Sequence, residues 1–192
     1  VMPRRSTVFG PVLLLLSGAF VLPSGCGSGD APKAQLSYKE MVAQAQRLSS
    51  PEARTRQLAQ IGRQQTEAGD RFGAEQTFEL AAKASQKIED ADARIRATVY
   101  LAEQLAPAGK QMEAAELLKP LATLVEQIDS AEVRAGDLAA IAGAQAAAGR
   151  IRAAKESTAT AEALVEKVPD VIGQVLVLGH VAKAYQRMDR AD

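Results

Sequence analysis

The stretch SPEARTRQLAQIGRQQTEAGDRFGAEQTFELAAKASQKI, residues 50–88, contains the signals of one helical hairpin. Ser50 is suited to cap a helix N-terminus, and Pro51 suits the first helical position. Gly69 can adopt the left-handed conformation that ends many helices. Apolar residues spaced three and four apart give each of the two helices one apolar face. The stretch therefore predicts two helices that pack face to face and are joined at Gly69.

The cap and turn signals recur along the chain at a constant interval of forty residues. A fixed period of this length is the sequence signature of an array of similar units, each of which packs on its neighbours. Such an array offers an extended surface for holding other proteins rather than a pocket for chemistry. The recurring positions are the caps Ser50, Asp90, Ser130 and Asp170 and the glycines Gly69, Gly109 and Gly149.

The spacing of apolar and small residues within one hairpin is also specific. It runs L-x₂-I-G-x₂-Q over residues 58–65 and A-x₃-F over residues 74–78. This spacing resembles that of the tetratricopeptide repeat, whose pattern is W-x₂-L-G-x₂-Y followed by A-x₃-F. The resemblance covers residues 33–192. It implies an all-α fold, a right-handed α-solenoid of hairpins of about forty residues.

The helix that begins at each cap is called a first-type helix here, and the helix that follows each glycine a second-type helix. We expect about eight helices: a lone second-type helix near residues 33–49, three hairpins, and a last first-type helix from Val171. Pro120 lies inside a second-type helix, so we expect a kink there, because proline lacks the N–H that the helix needs. Pro107, in the last turn before Gly109, should disturb its helix less.

The first 26 residues are interpreted as a signal peptide. Arg4 and Arg5 precede the apolar stretch Val8–Val21, whose fourteen residues would span about 21 Å as a helix, short of the roughly 30 Å core of a bilayer. The following residues 22–26, LPSGC, resemble the lipobox of bacterial lipoprotein signals. That resemblance implies a lipid attached to Cys26, which is the only cysteine of the chain.

Three parts of the chain follow from these signals: a signal peptide over 1–26, a flexible tether over 27–32, and a helical repeat domain over 33–192. Two or more acyl chains give stable membrane attachment, where one does not. A six-residue tether reaches at most about 20 Å. We therefore expect a protein of the cell envelope that faces the periplasm close to its membrane. Gly27 after the cysteine favours the outer membrane.

Composition argues against several other function classes. Without Arg4 and Arg5 the chain has 21 basic and 23 acidic residues, a balance that does not indicate nucleic-acid binding. His180 is the only histidine, so the chain lacks the ligands of a zinc or di-iron site. Glu113 with Glu116 is most simply a solvated helix face. We expect no catalytic activity, no metal and no cofactor.

In tetratricopeptide arrays the first-type helices line a concave groove. Carrying this over gives a basic rim and, in the third unit, a floor of small residues that include Gly143. Arginine recognises carboxylates through two parallel hydrogen bonds, so the partner would be a protein or peptide with acidic groups. The alternative is that these charges are ordinary solvated surface. The groove-facing residues are Arg56, Arg63, Arg96, Glu103, Lys183 and Arg187.

Three further arginines, Arg54, Arg94 and Arg134, recur at the forty-residue interval, each with an acidic residue two positions before it. We interpret them as making repeated salt bridges between helices or between units, in preference to ligand binding. Exposed pairs of this kind contribute less than about 1 kcal/mol each.

The last helix is unusually apolar, and the sequence contains no second-type helix to cover it before Asp192. An uncovered apolar stripe indicates either a truncated chain or a docking surface. Val175 and Leu178 are the residues we assign to docking, either of a partner or of another copy in a homo-oligomer. Besides a scaffold that uses the groove, this leaves two open alternatives: a structural subunit of an envelope assembly, and an accessory that regulates an enzyme.

Overall fold

The computed structural model describes residues 36–190, and that part of the chain is helical with no β-strand. The predicted signal peptide, Cys26 and the tether lie outside the described residues. The expected all-α class is confirmed for the part described. The helices are α1 Tyr38–Gln46, α2 Pro51–Glu67, α3 Arg71–Ser85, α4 Ala91–Leu105, α5 Gln111–Leu118, α6 Leu121–Leu124, a 3₁₀ turn Val125–Gln127, α7 Ala131–Ala147, α8 Ile151–Val165 and α9 Val171–Asp189.

All four predicted caps begin a helix. The side chains of Ser50, Asp90, Ser130 and Asp170 each accept a hydrogen bond from the backbone N–H three residues later. Each bond satisfies a donor that would otherwise be left unpaired in the first turn. The glycines after α2, α4 and α7 have φ values of 83°, 80° and 72°, a region in which a side chain would be strained. Helices therefore begin and end at residues that recur every forty positions.

The expected kink at Pro120 is a break. Helix α5 ends at Leu118, and α6 starts at Leu121 and passes into the 3₁₀ turn. If α5 and α6 are counted as one interrupted helix, the described residues contain the expected eight helices. Pro107 lies in the turn that follows α4, outside any helix.

Helices that are neighbours in the repeat are also neighbours in space. α2 packs on α3, α4 on α5, and α7 on α8, which gives three hairpins. The first-type helices form a series in which α2 contacts α4, α4 contacts α7, and α7 contacts α9. Helix α1 packs on α2. One cluster of buried apolar side chains runs from Ala45 in α1 to Val181 in α9.

Close approach of α2 and α3 depends on one glycine. A Cβ atom on Gly62 would lie 3.0 Å from the ring of Phe78, so the ring packs directly on the α2 backbone. Next to this contact, the hydroxyl of Thr77 donates to the amide oxygen of Gln65 at 2.7 Å, and the Gln65 amide nitrogen donates to Asp70 at 3.0 Å. Buried polar groups need such partners, and here they fix the register of the hairpin.

The prediction that Arg54 and Arg94 make repeated salt bridges is wrong. Their guanidinium groups donate to the backbone carbonyls of Leu48 and Ile88, at the end of the preceding segment. In the last unit the amide of Gln174 takes this role and donates to the carbonyl of residue 168 at 3.0 Å. These carbonyls follow a helix end and lack an intrahelical partner, so the side chains satisfy them.

In the first turn of α2 and of α4, the acidic side chain forms a salt bridge with an arginine one turn further along the same helix. Glu52 pairs with Arg56 and Asp92 with Arg96. The third recurring arginine differs again, since the Nε atom of Arg134 is buried without a hydrogen-bond partner among the described residues.

Candidate functional site

A groove of about 270 Å³ runs across α2, α4, α7 and α9, the first-type helices. It forms where these helices lie side by side, and no residue of the second-type helices α3, α5 and α8 lines it. Its walls combine basic side chains with small and apolar ones. They are Arg56, Arg96, Val99, Tyr100, Glu103, Ala139, Ala140, Gly143, His180, Lys183, Ala184 and Arg187.

The structure brings five of the six residues assigned to the groove into its lining. The exception is Arg63, which pairs with Glu67 at 2.8 Å and reaches Gln104 at 3.4 Å. Tyr100 and His180 also line the groove, although neither was assigned to it from the sequence. Both occupy the position that Ala140 has in α7, at the forty-residue interval, so the repeat could have located them.

The small residues of α7 form the floor, as the sequence indicated. A Cβ atom on Gly143 would lie only 2.7 Å from the Nη1 atom of Arg187. The glycine therefore leaves the space through which Arg187 crosses α7 and forms an ion pair with Glu103 on α4. This pair joins residues 84 positions apart. The sequence predicted that Glu103 contacts a partner, but its carboxylate is already paired with an arginine of its own chain.

The other basic side chains of the groove remain closer to solvent. Arg56 pairs with Glu52 at 3.3 Å, and Arg96 pairs with Asp92 at 2.9 Å, each within its own helix. About half of each arginine side chain is exposed, and pairs of this kind are worth less than about 1 kcal/mol. A ligand carboxylate can therefore compete for either guanidinium at low cost.

Arg56 is also positioned by an aromatic ring. Its guanidinium carbon lies 5.5 Å from the centre of the Tyr100 ring on the next first-type helix. A cation over an aromatic face is attracted by the ring's electron density. The contact fixes Arg56 at the mouth of the groove while leaving its N–H groups able to donate.

An unexpected buried carboxylate lies in α7, which forms the groove floor. Asp137 is buried, and its Oδ2 atom has no hydrogen-bond partner among the described residues. Burial raises the pKa of this carboxyl from 3.8 to about 7, and the negative charges of Asp92 and Asp90 act in the same direction, against the positive charge of Arg96. At the same register position α2 has the exposed Gln57, whereas α4 and α9 have the buried Ala97 and Val177, so a comparison with the two adjacent units could have singled out Asp137.

The two residues assigned to docking are exposed. Val175 is 61% and Leu178 48% accessible, and on the same helix Leu176 lies between these values while Val171 and Ile172 are more open. Val181 and Met188, two further apolar residues of the last helix, are instead buried against the rest of the protein. The apolar surface of α9 is therefore narrower than the sequence indicated, and it lies on the side away from α7.

Two other features of residues 36–190 bear on function. No set of three or more His, Cys, Asp or Glu side chains in this part of the chain is grouped so that it could hold a metal ion. None of the helices described is both long and apolar enough to cross a membrane.

Comparison of the chain with protein-family models, with curated proteins and with solved structures gives no match in any of the three. The function is therefore inferred from the groove and its residues.

Proposed function

We propose that this protein is a lipid-anchored, non-catalytic scaffold that binds a protein or peptide partner in the groove across its first-type helices. The observation that carries the proposal is the meeting of four successive first-type helices along one groove that contains Arg56, Arg96 and Lys183. A groove of this kind suits an extended or helical peptide, whose length matches the row of helices.

The proposal includes the finer description of the fold. The order of contacts, in which each first-type helix touches the next along the series, supports a right-handed α-solenoid similar to tetratricopeptide arrays. The observed caps, turns and glycine-to-aromatic contact of α2 and α3 support the same description. Repeat arrays of this type bind their partners through extended surfaces.

The chemistry of the groove favours an acidic partner. Arg56 and Arg96 each present a half-exposed guanidinium, and Lys183 lies on the opposite wall. Between them, Val99, Tyr100 and Ala139 provide an apolar strip that can pack against the body of a peptide. Carboxylates of the partner would bind the arginines through paired N–H donors.

The sequence signals outside the described residues support the proposed location. A basic and then apolar start followed by LPSGC supports a lipid on Cys26, and a six-residue tether would keep the groove near the membrane. We therefore place the protein in the cell envelope, facing the periplasm.

Crosslinking and recovery of the protein from native membranes tests the groove. The variant Arg56→Glu/Arg96→Glu/Lys183→Glu reverses three charges of the lining. The matched control, Lys87→Glu/Arg152→Glu/Lys167→Glu, makes the same change at exposed residues outside it. We expect a partner that is recovered with the wild type and the control and lost from the groove variant. Recovery of the same partners with the groove variant would contradict the proposal.

A further inference from the structure

Helix α9 exposes a face that is buried in every other first-type helix. At the register position of Val175, which is 61% accessible, α2, α4 and α7 have Thr55, Ile95 and Ala135, each with 0% of its surface accessible. The position of Leu178 shows the same contrast, because its counterparts are all buried. The repeat thus predicts a covered surface, and the structure shows an open one.

A second face of α9 is open as well. The register counterparts of Gly179 are Ala59, Val99 and Ala139, which are buried where one first-type helix packs on the next. A Cβ atom on Gly179 would find no atom within 4 Å. Within residues 36–190, therefore, neither a following second-type helix nor a following first-type helix packs on α9.

The polar pairs of the hairpins show how a second-type helix aligns with its first-type partner. Gln65 bonds to Thr77 at 2.7 Å, and at the same positions of the third hairpin Gln145 bonds to Ser157 at 2.9 Å. Forty residues after Gln145 is Tyr185 on α9. The residue that should face Tyr185 therefore occupies the register position of Thr77 and Ser157.

The other end of the described chain presents the matching element. Helix α1 is a second-type helix that packs on α2, and it is the first helix of the described residues 36–190. Ser37 occupies the position of Thr77, and Gln44 that of Ala84; both are exposed, whereas Thr77 and Ala84 are buried. Met41, at the position of the fully buried Ala81, is only partly covered.

We propose that the α1–α2 end of a second copy of this chain docks on α9, so that copies join head to tail. In this arrangement α1 of the second copy covers α9 as α8 covers α7, and α2 of the second copy packs on α9 as α9 packs on α7. The junction continues an interface that the protein already forms three times within itself. Because the two contacting surfaces differ, each added copy leaves the same two ends open, and the assembly is open-ended.

The hairpin register specifies which residues meet. Gly62 contacts Phe78 in α2 and α3, and the counterparts at the junction are Ala182 of α9 and Tyr38 of the second copy. The hydroxyl of Tyr38 donates to the carbonyl of Gln64 in its own chain at 3.3 Å, so Tyr38 also packs on its own α2. One turn away, Leu178 should face Met41 of the second copy. Apolar surface that is exposed in the separate copies is thus buried at the junction.

Cysteine crosslinking in intact membranes that contain the full chain tests the pairing of α9 with α1. The variant Met41→Cys/Leu178→Cys should give a ladder of crosslinked multiples on oxidation. A mixture of the two single variants, produced in the same cells, should give a dimer, and each single variant alone should give none. A disulfide requires Cβ atoms about 4 Å apart, so the pattern reports direct contact. The wild type measures the crosslinking that Cys26 alone produces. The variant Lys155→Cys, on the exposed side of α8, measures the crosslinking that random collisions produce.

Two results would overturn the proposal. Dimers from Leu178→Cys alone would show a symmetric contact between two α9 helices. Absence of a ladder above the Lys155→Cys background would show that another partner, or none, covers α9.

A pair of charge variants separates this junction from the groove. In the double-cysteine background, Val175→Glu/Ile172→Glu should remove at least nine-tenths of the ladder. The control Phe72→Glu/Met112→Glu changes similarly exposed apolar residues elsewhere, and it should leave the ladder intact. The groove variant Arg96→Glu, on α4, which takes no part in the junction, should also leave it intact. A ladder that survives the α9 variant would count against the proposal, and loss of groove binding alone would not affect it.

Discussion

Helices α7 and α9 share one register and differ in their surroundings. Both begin at a side-chain cap and pack on the preceding first-type helix. Leu138 of α7 is buried under α8, while its counterpart Leu178 is about half exposed. The comparison shows that burial at a repeated position is decided by the neighbouring helix, since the residue type is the same at both places.

The largest expected difference comes from truncating these two leucines. Leu138→Ala should lower the free energy of unfolding by about 2–5 kcal/mol, because it removes buried apolar surface and leaves a cavity. Leu178→Ala should change it by less than about 0.5 kcal/mol, as exposed positions usually do. Urea unfolding followed by circular dichroism, at low micromolar concentration, measures both. Equal losses would mean that α9 is covered in solution as α7 is.

A second test sharpens the contrast at the neighbouring position, where α7 has Asp137 and α9 has the buried Val177. Burial raises the pKa of Asp137 from 3.8 to about 7, so the folded state binds this proton more tightly than the unfolded state. The contribution of Asp137 to the free energy of unfolding therefore falls by at most about 4 kcal/mol as pH rises from about 4 to about 7, and this contribution is constant at higher pH.

Asp137→Asn removes this titration, so the variant should gain stability relative to wild type as pH rises from 4 to 8. Denaturant unfolding at several pH values gives the difference, and the other carboxylates cancel because both proteins have them. Parallel pH curves for the two proteins would show that the Asp137 carboxyl titrates normally.

The smallest expected effect should be the same in both helices. Ser130→Ala and Asp170→Ala each remove a side-chain cap, and each should cost about 1 kcal/mol. The caps are local and do not depend on what covers the helix. If thermal unfolding shows the Asp170 variant to be clearly less affected, the start of α9 frays in solution, and the comparison with α7 then concerns local order as well as cover.

Much of the fold could be predicted because its signals are local. Caps, left-handed glycines and Pro120 act within one turn of the chain, so the cap at Ser50, the turn at Gly69 and a disturbance of the helix at Pro120 follow from residue type and spacing, although the sequence predicted a kink and not the observed break. The prediction for Arg54 was wrong for a related reason. Its acidic neighbour Glu52 was visible in the sequence, whereas the unpaired carbonyl of Leu48 exists only once the preceding segment has folded.

The groove could be predicted only in part. The register placed Arg56 and Arg96 on the first-type helices, and the structure brings them into one lining. The pairing of Glu103 with Arg187 depends on how closely α4 and α9 approach across α7, which no local signal encodes. The open position of Gly143 was visible in the sequence, but the side chain that crosses it was not.

The ion pair across Gly143 has a mechanical consequence. It joins α4 to α9 with α7 between them, so it ties together two helices that are not consecutive in the series. A tension that pulls α9 away from α4 must separate these charges first. Since both side chains are partly exposed, dissolved salt weakens their attraction. The stiffness of this part of the array, and not only its stability, should therefore decrease as ionic strength increases.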